Sequence, residues 1–326
     1  MNSKIRIGIV GYGNIGKGVE KAIKQNEDME LEAIFTRRDV NKVDSNNSKL
    51  VHISRLELYK DIVDVMILCG GSATDLVEQG PMIASQFNTV DSFDNHGRIP
   101  QYFEKMDEVA KKSGKLSLIS TGWDPGLFSL NRLLGEAILP KGKTHTFWGK
   151  GVSQGHSDAI RRVQGVKNGI QYTIPIKEAL NKARSGEQCD FTTREKHERV
   201  CYVVPEENAD LKKIEHDIKT MPDYFADYNT TIHFITEEEL KLNHAGLPHG
   251  GFVIRSGNTQ GGAKQVMEFN LKLESNAEFT SSVLAAYSRA IYKLSKEGKK
   301  GAVTVLDIPF AYLSPKTSEQ LRKELL

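Results

Sequence analysis

The sequence predicts an α/β protein: a doubly wound parallel sheet, then an α+β domain with a mixed or antiparallel sheet. Three observations carry this. An apolar strand runs directly into a glycine fingerprint. Strand and helix signals then alternate as far as Gly126. Beyond it the texture changes to period-two alternation of apolar and polar residues.

The first element is the run Ile5, Ile7, Ile9 and Val10, a buried parallel strand that stops at Gly11. G-Y-G-N-I-G follows, with Gly11, Gly13 and Gly16 in G-x-G-x-x-G register. Ile15, Val19, Ala22 and Ile23 then share a helical face, and Leu31 to Phe35 forms a second strand. This strand–helix–strand context turns a weak glycine pattern into a Rossmann signature. Gly11 permits the tight turn, Gly13 lets backbone approach a pyrophosphate, and Gly16 lets helix and strand pack closely. Phosphates then meet free N–H groups at the positive end of a helix.

The second strand ends in F-T-R-R-D. An acid there would bind a free ribose 2′-hydroxyl and repel a 2′-phosphate. Thr36, Arg37 and Arg38 do the reverse, since a guanidinium can grip phosphate and stack on adenine. The expected cofactor is therefore NADP rather than NAD.

Later strands are expected at Val63 to Leu68, before Asp91, and at Leu116 to Thr121. Their ends carry C-G-G-S-A-T-D, D-S-F-D-N-H and G-W-D-P-G. Ligands of open α/β sheets collect outside the carboxyl ends of strands, so these segments are the leading site candidates.

Composition excludes other classes. Lys+Arg is 44 against Asp+Glu 42, a net charge of +2, which gives no support for a nucleic-acid or membrane-surface partner. No apolar run approaches the ~20 residues of a membrane span. The N-terminus enters a strand without a cleavable apolar leader, so the expected address is cytoplasmic. Cys69, Cys189 and Cys201 are odd in number and form no CxxC pair, and the nine histidines form no HExxH. No metal is expected.

After Gly126 a helix from Leu127 to Leu139 leads out of the nucleotide domain. Segments 144–158, 171–175, 196–204, 227–235 and 264–273 alternate and suggest a mostly antiparallel sheet with one face covered. The loop 243–251 presents His249 on a tight turn between Pro248 and two glycines. A helix spans Phe279 to Ser295, and A-V-T-V-L-D after Gly301 returns to the first domain. The expected division is residues 1–123 with 298–326 for NADP, and 124–297 for substrate and dimer contacts.

Taken together, G-Y-G-N-I-G, F-T-R-R, G-S-A-T-D, D-N-H, S-T-G-W-D-P-G, H-T-F-W-G, S-Q-G-H-S-D, T-M-P-D-Y-F and P-H-G-G resemble the meso-2,6-diaminopimelate dehydrogenases, essentially end to end. The resemblance implies NADP-dependent, reversible oxidative deamination of the D-centre of meso-diaminopimelate. The products are L-2-amino-6-oxopimelate, which cyclises to tetrahydrodipicolinate, and ammonia. It further implies a cytoplasmic homodimer working in lysine synthesis. On the cofactor side it implies Gly11, Tyr12, Gly13, Asn14, Ile15, Thr36, Arg37, Arg38, Cys69, Gly70, Gly71, Ser72, Ala73, Thr74, Ser92, Phe93 and Asp94. Around the reacting centre it implies Asp94, Trp123, Asp124, Trp148, Gln154 and Gly155, with Asp158 nearby. The distal L-centre falls to Thr173, Arg199, His249 and Asn276.

These residue types suit a substrate with two carboxylates and two ammonium groups. Arg199 is a fork for the distal carboxylate, and Thr173 and His249 add donors. Asp94 and Asp124 can attract the ammonium, and either could take its proton, the sequence leaving open which. Two rival readings share the fingerprint: another NADPH-dependent reductase of a related metabolite, and a non-catalytic NADPH-sensing regulator. Neither needs the G-W-D-P-G and P-H-G-G pair.

Overall fold

The computed structural model describes residues 4–43, 49–246 and 248–326. Residues 1–3 of the N-terminal reading and Leu247 of the 243–251 loop lie outside the described residues. Two compact units are formed, one from Met1–Leu130 with Ala277–Leu326 and one from Asn131–Asn276.

In the first unit seven parallel strands form one sheet in the order β14-β6-β5-β4-β1-β2-β3. They are β1 (Ile5–Val10), β2 (Met29–Thr36), β3 (Leu50–His52), β4 (Val65–Leu68), β5 (Asn88–Asp91), β6 (Leu116–Leu118) and β14 (Gly301–Val303). The order reverses beside β1, which makes its carboxyl end the topological switch point. Helices α1 (Asn14–Lys24), α2 (Asp75–Ala84) and α3 (Ile99–Ser113) join successive strands, and α4 (Leu127–Ile138) follows β6. The strands are buried on both faces. Ile7, Ile9, Ile34 and Ile67 pack into one core with α1 and the long C-terminal helix α10 (Asn276–Lys296). Phe35, Met66, Leu68 and Phe93 pack into the other core with α2 and α3.

The unit boundaries differ from the sequence expectation of 123/124 and 297/298. Helix α10 belongs to the first unit from Ala277 onward, not to the second. Its buried residues Val283, Leu284, Tyr287, Ala290, Ile291 and Leu294 recur at helical spacing and fill the core around β1. Arg289 on the same helix is 2% exposed. It grips the Asp28 carboxylate with Nε at 2.6 Å and Nη2 at 2.7 Å, and its Nη1 donates to the Leu313 carbonyl. That ion pair holds the Asp28 carboxyl below the usual range.

The second unit contains two sheets rather than the single one expected. The four-stranded sheet has the order β11-β10-β9-β8, with β8 (Gly151–Val152), β9 (Val166–Pro175), β10 (His197–Pro205) and β11 (Asn229–Phe234). It is mixed, because β10 and β11 run parallel while the other pairs are antiparallel. The three-stranded sheet is antiparallel in the order β13-β12-β7, with β7 (Gly142–Trp148), β12 (His249–Asn258) and β13 (Lys264–Leu273).

Both faces of the four-stranded sheet are covered, which corrects the expected single covered face. Helices α5 (Gln154–Arg161) and α8 (Leu211–Lys219) pack Ile160, Ile214 and Ile218 on Cys201 and Val203. On the other face α9 (Glu237–His244) places Leu240 on Tyr172 and Val204. The short α6 (Lys177–Arg184) covers the three-stranded sheet through Leu180 and Ala183, and α7 (Thr193–Lys196) leads into β10. The C-terminal helix is α11 (Ser318–Leu325).

Two local expectations also change. S-Q-G-H-S-D starts helix α5, because the Ser153 side chain caps its first turn. H-G-G is strand, not a tight turn. Gly250 and Gly251 lie in central strand β12, where a Cβ would stand 2.0 Å from the Leu271 carbonyl oxygen and 2.2 Å from that of Phe147. The glycines serve close backbone approach across the sheet.

Candidate functional site

Two groups of candidate residues form, one within each unit. The first lies at the carboxyl edge of the parallel sheet. Gly11 has φ +91° and donates its N–H to the Phe35 carbonyl, so the chain turns tightly off β1. A Cβ on Gly16 would lie 2.1 Å from the Gly11 carbonyl oxygen, so α1 can pack here only with glycine. Gly13 is different: a Cβ there would meet no protein atom within 4 Å. It is the N-cap of α1 and offers no side-chain cap, which leaves the helix's first N–H groups to an external acceptor.

The next strand end is ordered by its own contacts. Thr36 is buried, and its Oγ1 accepts from the Arg38 N–H at 3.1 Å. Arg38 Nη2 donates to the Tyr12 carbonyl at 2.7 Å, tying this end to the fingerprint. Arg37 forms an exposed pair with Asp75 at 2.5 Å. Asp75 opens α2 and also accepts from the Gly71 N–H at 3.2 Å. A Cβ on Gly70 would press on Asp75 at 2.7 Å, so the glycines of G-G-S-A-T-D make room for this acid. The T-R-R and G-G-S-A-T-D segments are thereby joined. Thr74 precedes α2 without capping it through its side chain.

Further along the edge, Ser72 Oγ accepts from the Asp94 N–H at 3.0 Å and links the ends of β4 and β5. Asp94 itself is exposed, Ser92 is half-buried and Asp124 is half-buried. Trp123 is buried and meets Phe128 edge-on at 5.1 Å.

Several candidates are structural in their side chains. Phe93 is fully buried and stacks on Tyr102 at 4.2 Å, so only its backbone is available. Tyr12 is buried, with its hydroxyl on Glu20 at 2.5 Å. Ile15 packs against the core, and burial pushes the Cys69 thiol far above its ordinary range. A thiol held protonated is a poor nucleophile.

The second group lies in the four-stranded sheet. Register places Thr173 of β9 directly opposite Arg199 of β10 on one side and Gly151 of β8 on the other. A Cβ on Gly151 would come within 2.7 Å of the His249 ring, so His249 closes the row His249–Gly151–Thr173–Arg199. Arg199 is 6% exposed. Its Nη1 donates to Thr173 Oγ1, and its guanidinium lies 3.8 Å over the Tyr228 ring. Among the described residues no carboxylate pairs with it, and its Nε is buried without a partner. Two further orphans sit beside it. Gln171 Oε1 lies two residues from Thr173 on the same strand face, and Thr230 Oγ1 lies opposite Arg199 on β11.

Burial holds the surrounding bases neutral. His156 is pulled down to about 4 and His197 to about 3, in each case first by burial and then by nearby cations, Arg199 among them. Burial also lowers Arg199 from its ordinary value. A buried guanidinium without a counter-charge is costly unless an anion completes it.

Trp148 stacks on His197 at 5.4 Å, and its backbone N–H donates to His197 Nε2 at 2.9 Å. Gln154 and Gly155 are exposed in the first turn of α5. Asp158 does not join the row: Arg161 and Arg162 neutralise it at 2.9 and 2.5 Å. Asn276 begins α10.

Sequence reading singled out none of Gln171, His197 and Tyr228, while Asp91 and His156 stood within D-S-F-D-N-H and S-Q-G-H-S-D without an assigned role. Gln171 was legible in principle, since Q-Y-T puts Gln171 and Thr173 on one strand face. The others become visible only through long-range packing. Among the described residues no group of three or more His, Cys, Asp or Glu is placed to hold a metal ion, and no helix is long and apolar enough to cross a membrane.

A doubly wound sheet with this fingerprint at its switch point defines a dinucleotide-binding protein of the Rossmann class. The chain is 67% identical over 325 residues to meso-diaminopimelate D-dehydrogenase of Ureibacillus thermosphaericus, covering 99% of this chain and 100% of that one. The chain belongs to the meso-diaminopimelate D-dehydrogenase family.

A family model of the diaminopimelic acid dehydrogenase C-terminal domain matches residues 122–275. Among solved structures, a Q154L/T173I/R199M/P248S/H249N/N276S mutant of the Clostridium tetani E88 protein with DAP is 92% identical. The match has a TM-score of 0.96 and covers 99% of this chain and 100% of that one. An engineered D-amino acid dehydrogenase bound to NADP+ is 43% identical, with a TM-score of 0.89 over 99% of this chain and 100% of that one.

Proposed function

We propose that the chain oxidises the D-configured amino centre of meso-2,6-diaminopimelate, with NADP+ as oxidant. Hydride loss leaves an imine that water hydrolyses, so the products are L-2-amino-6-oxopimelate, which cyclises to tetrahydrodipicolinate, together with ammonium, NADPH and a proton. The reaction is reversible and belongs to lysine biosynthesis.

The observation that carries the substrate reading is Arg199: a buried cation, opposite Thr173 and against Tyr228, with no acid of the described chain beside it. A remote carboxylate supplies the missing charge, and the row Arg199–Thr173–His249 anchors the L-centre. The letters replaced in the C. tetani variant are Gln154, Thr173, Arg199, Pro248, His249 and Asn276 at the same numbers here. Five of these six belong to the substrate reading made from the sequence. Pro248 does not, although its carbonyl accepts from the Val152 N–H at 2.8 Å and braces β8 beside His249.

The residues of the sheet edge fit a phosphorylated dinucleotide. The left-handed φ of Gly11 and the crowding at Gly16 demand glycine, whereas no protein atom does at Gly13, which fits close approach by a ligand. Gly11 to Ile15 and the α1 N-terminus would hold the pyrophosphate. Thr36, Arg37 and Arg38 would hold the 2′-phosphate, and Cys69 to Thr74 with Ser92 to Asp94 would line the rest. Bound NADP+ supplies the hydride acceptor.

The chain's own part is positioning and proton handling. Asp94 and Asp124 attract the reacting ammonium, and one of them takes a proton from it. The family resemblance assigns Trp123, Trp148, Gln154 and Gly155 to the reacting carbon, and Asn276 to the distal anchor. Stereoselectivity follows from the anchor, since a fixed L-centre leaves only the D-centre to react. A homodimer in the cytoplasm completes the reading. What supports association is the exposed apolar set Leu133, Leu134 and Ile138 on α4.

The test mixes protein, NADP+ and single amino acids while reduced-cofactor absorbance and released ammonia are followed. Turnover with meso-diaminopimelate, with NAD+ much poorer, is expected. Turnover of some other metabolite alone would favour a sister reductase, and none at all would favour the regulator.

A further inference from the structure

Asp91 ends β5 and is fully buried. Its Oδ1 accepts from the N–H groups of Phe93 and Ser120, each at 3.0 Å. Its Oδ2 accepts from the Tyr102 hydroxyl at 2.8 Å, and its backbone carbonyl accepts from the Thr121 N–H at 2.9 Å. These bonds begin where the sheet stops. The β5–β6 ladder pairs only Thr89 with Ser117 and Val90 with Leu118. Beyond it one loop runs through Phe93 to Asp94 and the other through Ser120 and Thr121 to Trp123 and Asp124. The carboxylate replaces the missing ladder.

The rest of the setting is rigid. Ser120 has φ +55°, a left-handed conformation that a side chain disfavours, and the bond from its N–H to Asp91 helps to hold it there. Tyr102 on α3 stacks on Phe93, and Gly80 on α2 leaves no room for a Cβ because the Tyr102 hydroxyl stands 2.3 Å from that place. Burial pushes the Asp91 carboxyl up to about 6, against the pull of its three donors. A fully buried acid is an expensive choice unless its geometry is used.

We propose that Asp91 is a positioning residue of the reaction: it fixes the spacing between the Ser92–Asp94 loop and the Trp123–Asp124 loop, and hence between the two carboxylates that handle the reacting amine. This rests on the functional reading above. The carboxylate acts through its shape as an acceptor and not through its charge. An asparagine can keep both N–H bonds on its oxygen and turn its amide toward the Tyr102 oxygen, whereas alanine cannot.

The experiment compares wild type, Asp91→Asn, Asp91→Ala and Tyr102→Phe, each checked for thermal midpoint and assayed at a temperature where it is folded. Asp91→Ala is expected to lower kcat for meso-diaminopimelate about a hundredfold, the effect of a displacement near 1 Å. The KM for NADP+ should stay within about threefold, and Asp91→Asn should recover kcat to within about threefold of wild type. Tyr102→Phe removes one donor and should lower kcat several-fold.

A folded Asp91→Ala with wild-type kcat, whatever its thermal midpoint, would reduce Asp91 to a structural staple. Equal losses in Asp91→Ala and Asp91→Asn would make charge the cause and overturn the proposal. If Asp91→Ala does not fold, Tyr102→Phe decides: a lowered kcat at unchanged NADP+ KM supports the proposal, and an unchanged kcat overturns it. A wild-type protein inactive on meso-diaminopimelate would instead sink the functional reading itself.

Discussion

The two candidate regions are made from opposite materials. The edge of the parallel sheet is shaped by backbone: glycines at 11, 13, 16, 70 and 71, a helix N-terminus, and two exposed arginines. The row in the four-stranded sheet is shaped by buried side chains, with Arg199, Thr173 and Gln171 all under a tenth exposed. Backbone recognition suits a ligand read by shape and phosphate charge. A buried cation without an acid suits a ligand that brings its own carboxylate. The edge should therefore be damaged by added atoms, and the row by removed ones.

The sharpest way to break this contrast lies within the fingerprint. Gly16→Val forces a Cβ against the Gly11 carbonyl and should destabilise the fold by several kcal/mol, about 3 or more. Gly13→Val meets no protein atom, so its thermal midpoint should stay close to wild type while the KM for NADP+ rises by about tenfold or more. Thermal melts and cofactor titrations of the two variants separate them. Equal loss of stability would mean that Gly13 serves packing alone.

Arg37→Ala is expected to do less. A charge-assisted hydrogen bond contributes roughly 1.5–3 kcal/mol, which is about tenfold or more in NADPH affinity. NADH should hardly be affected. The pair with Asp75 pre-orients Arg37 and also draws off part of its charge, so Asp75→Asn should change NADPH affinity less than loss of the arginine does. Equal effects of Arg37→Ala on both cofactors would remove the 2′-phosphate role.

The smallest effect belongs to Asp158. Its carboxylate is already neutralised by Arg161 and Arg162, which hold it below the usual carboxylate range. Asp158→Asn should leave kcat/KM for meso-diaminopimelate within about twofold, as expected for a surface pair. A tenfold loss would return it to the substrate group.

The same contrast decides what the sequence made legible. The edge could be read because its signals are local: a glycine triplet between two strands, then T-R-R where the second strand ends. The parallel sheet matches the expected doubly wound class, while its strand order is known only from the structure. The row was legible only through family resemblance, because its members lie on strands separated by tens of residues and meet by register. P-H-G-G was misread as a turn because glycine usually marks turns. Here it marks backbone crowding in a central strand. The domain boundary at α10 was misplaced for a similar reason, since a helical stripe does not say which core it fills.

The central claim is that Arg199 is kept buried for a carboxylate that only the substrate supplies. Steady-state kinetics of Arg199→Met with saturating NADP+ tests it most directly. The account predicts that kcat/KM for meso-diaminopimelate falls by about a hundredfold or more, as for loss of one partner of a buried charge pair. Activity on D-amino acids with apolar side chains should hold or rise, and the KM for NADP+ should be unchanged. Full retention of meso-diaminopimelate activity in Arg199→Met would contradict it.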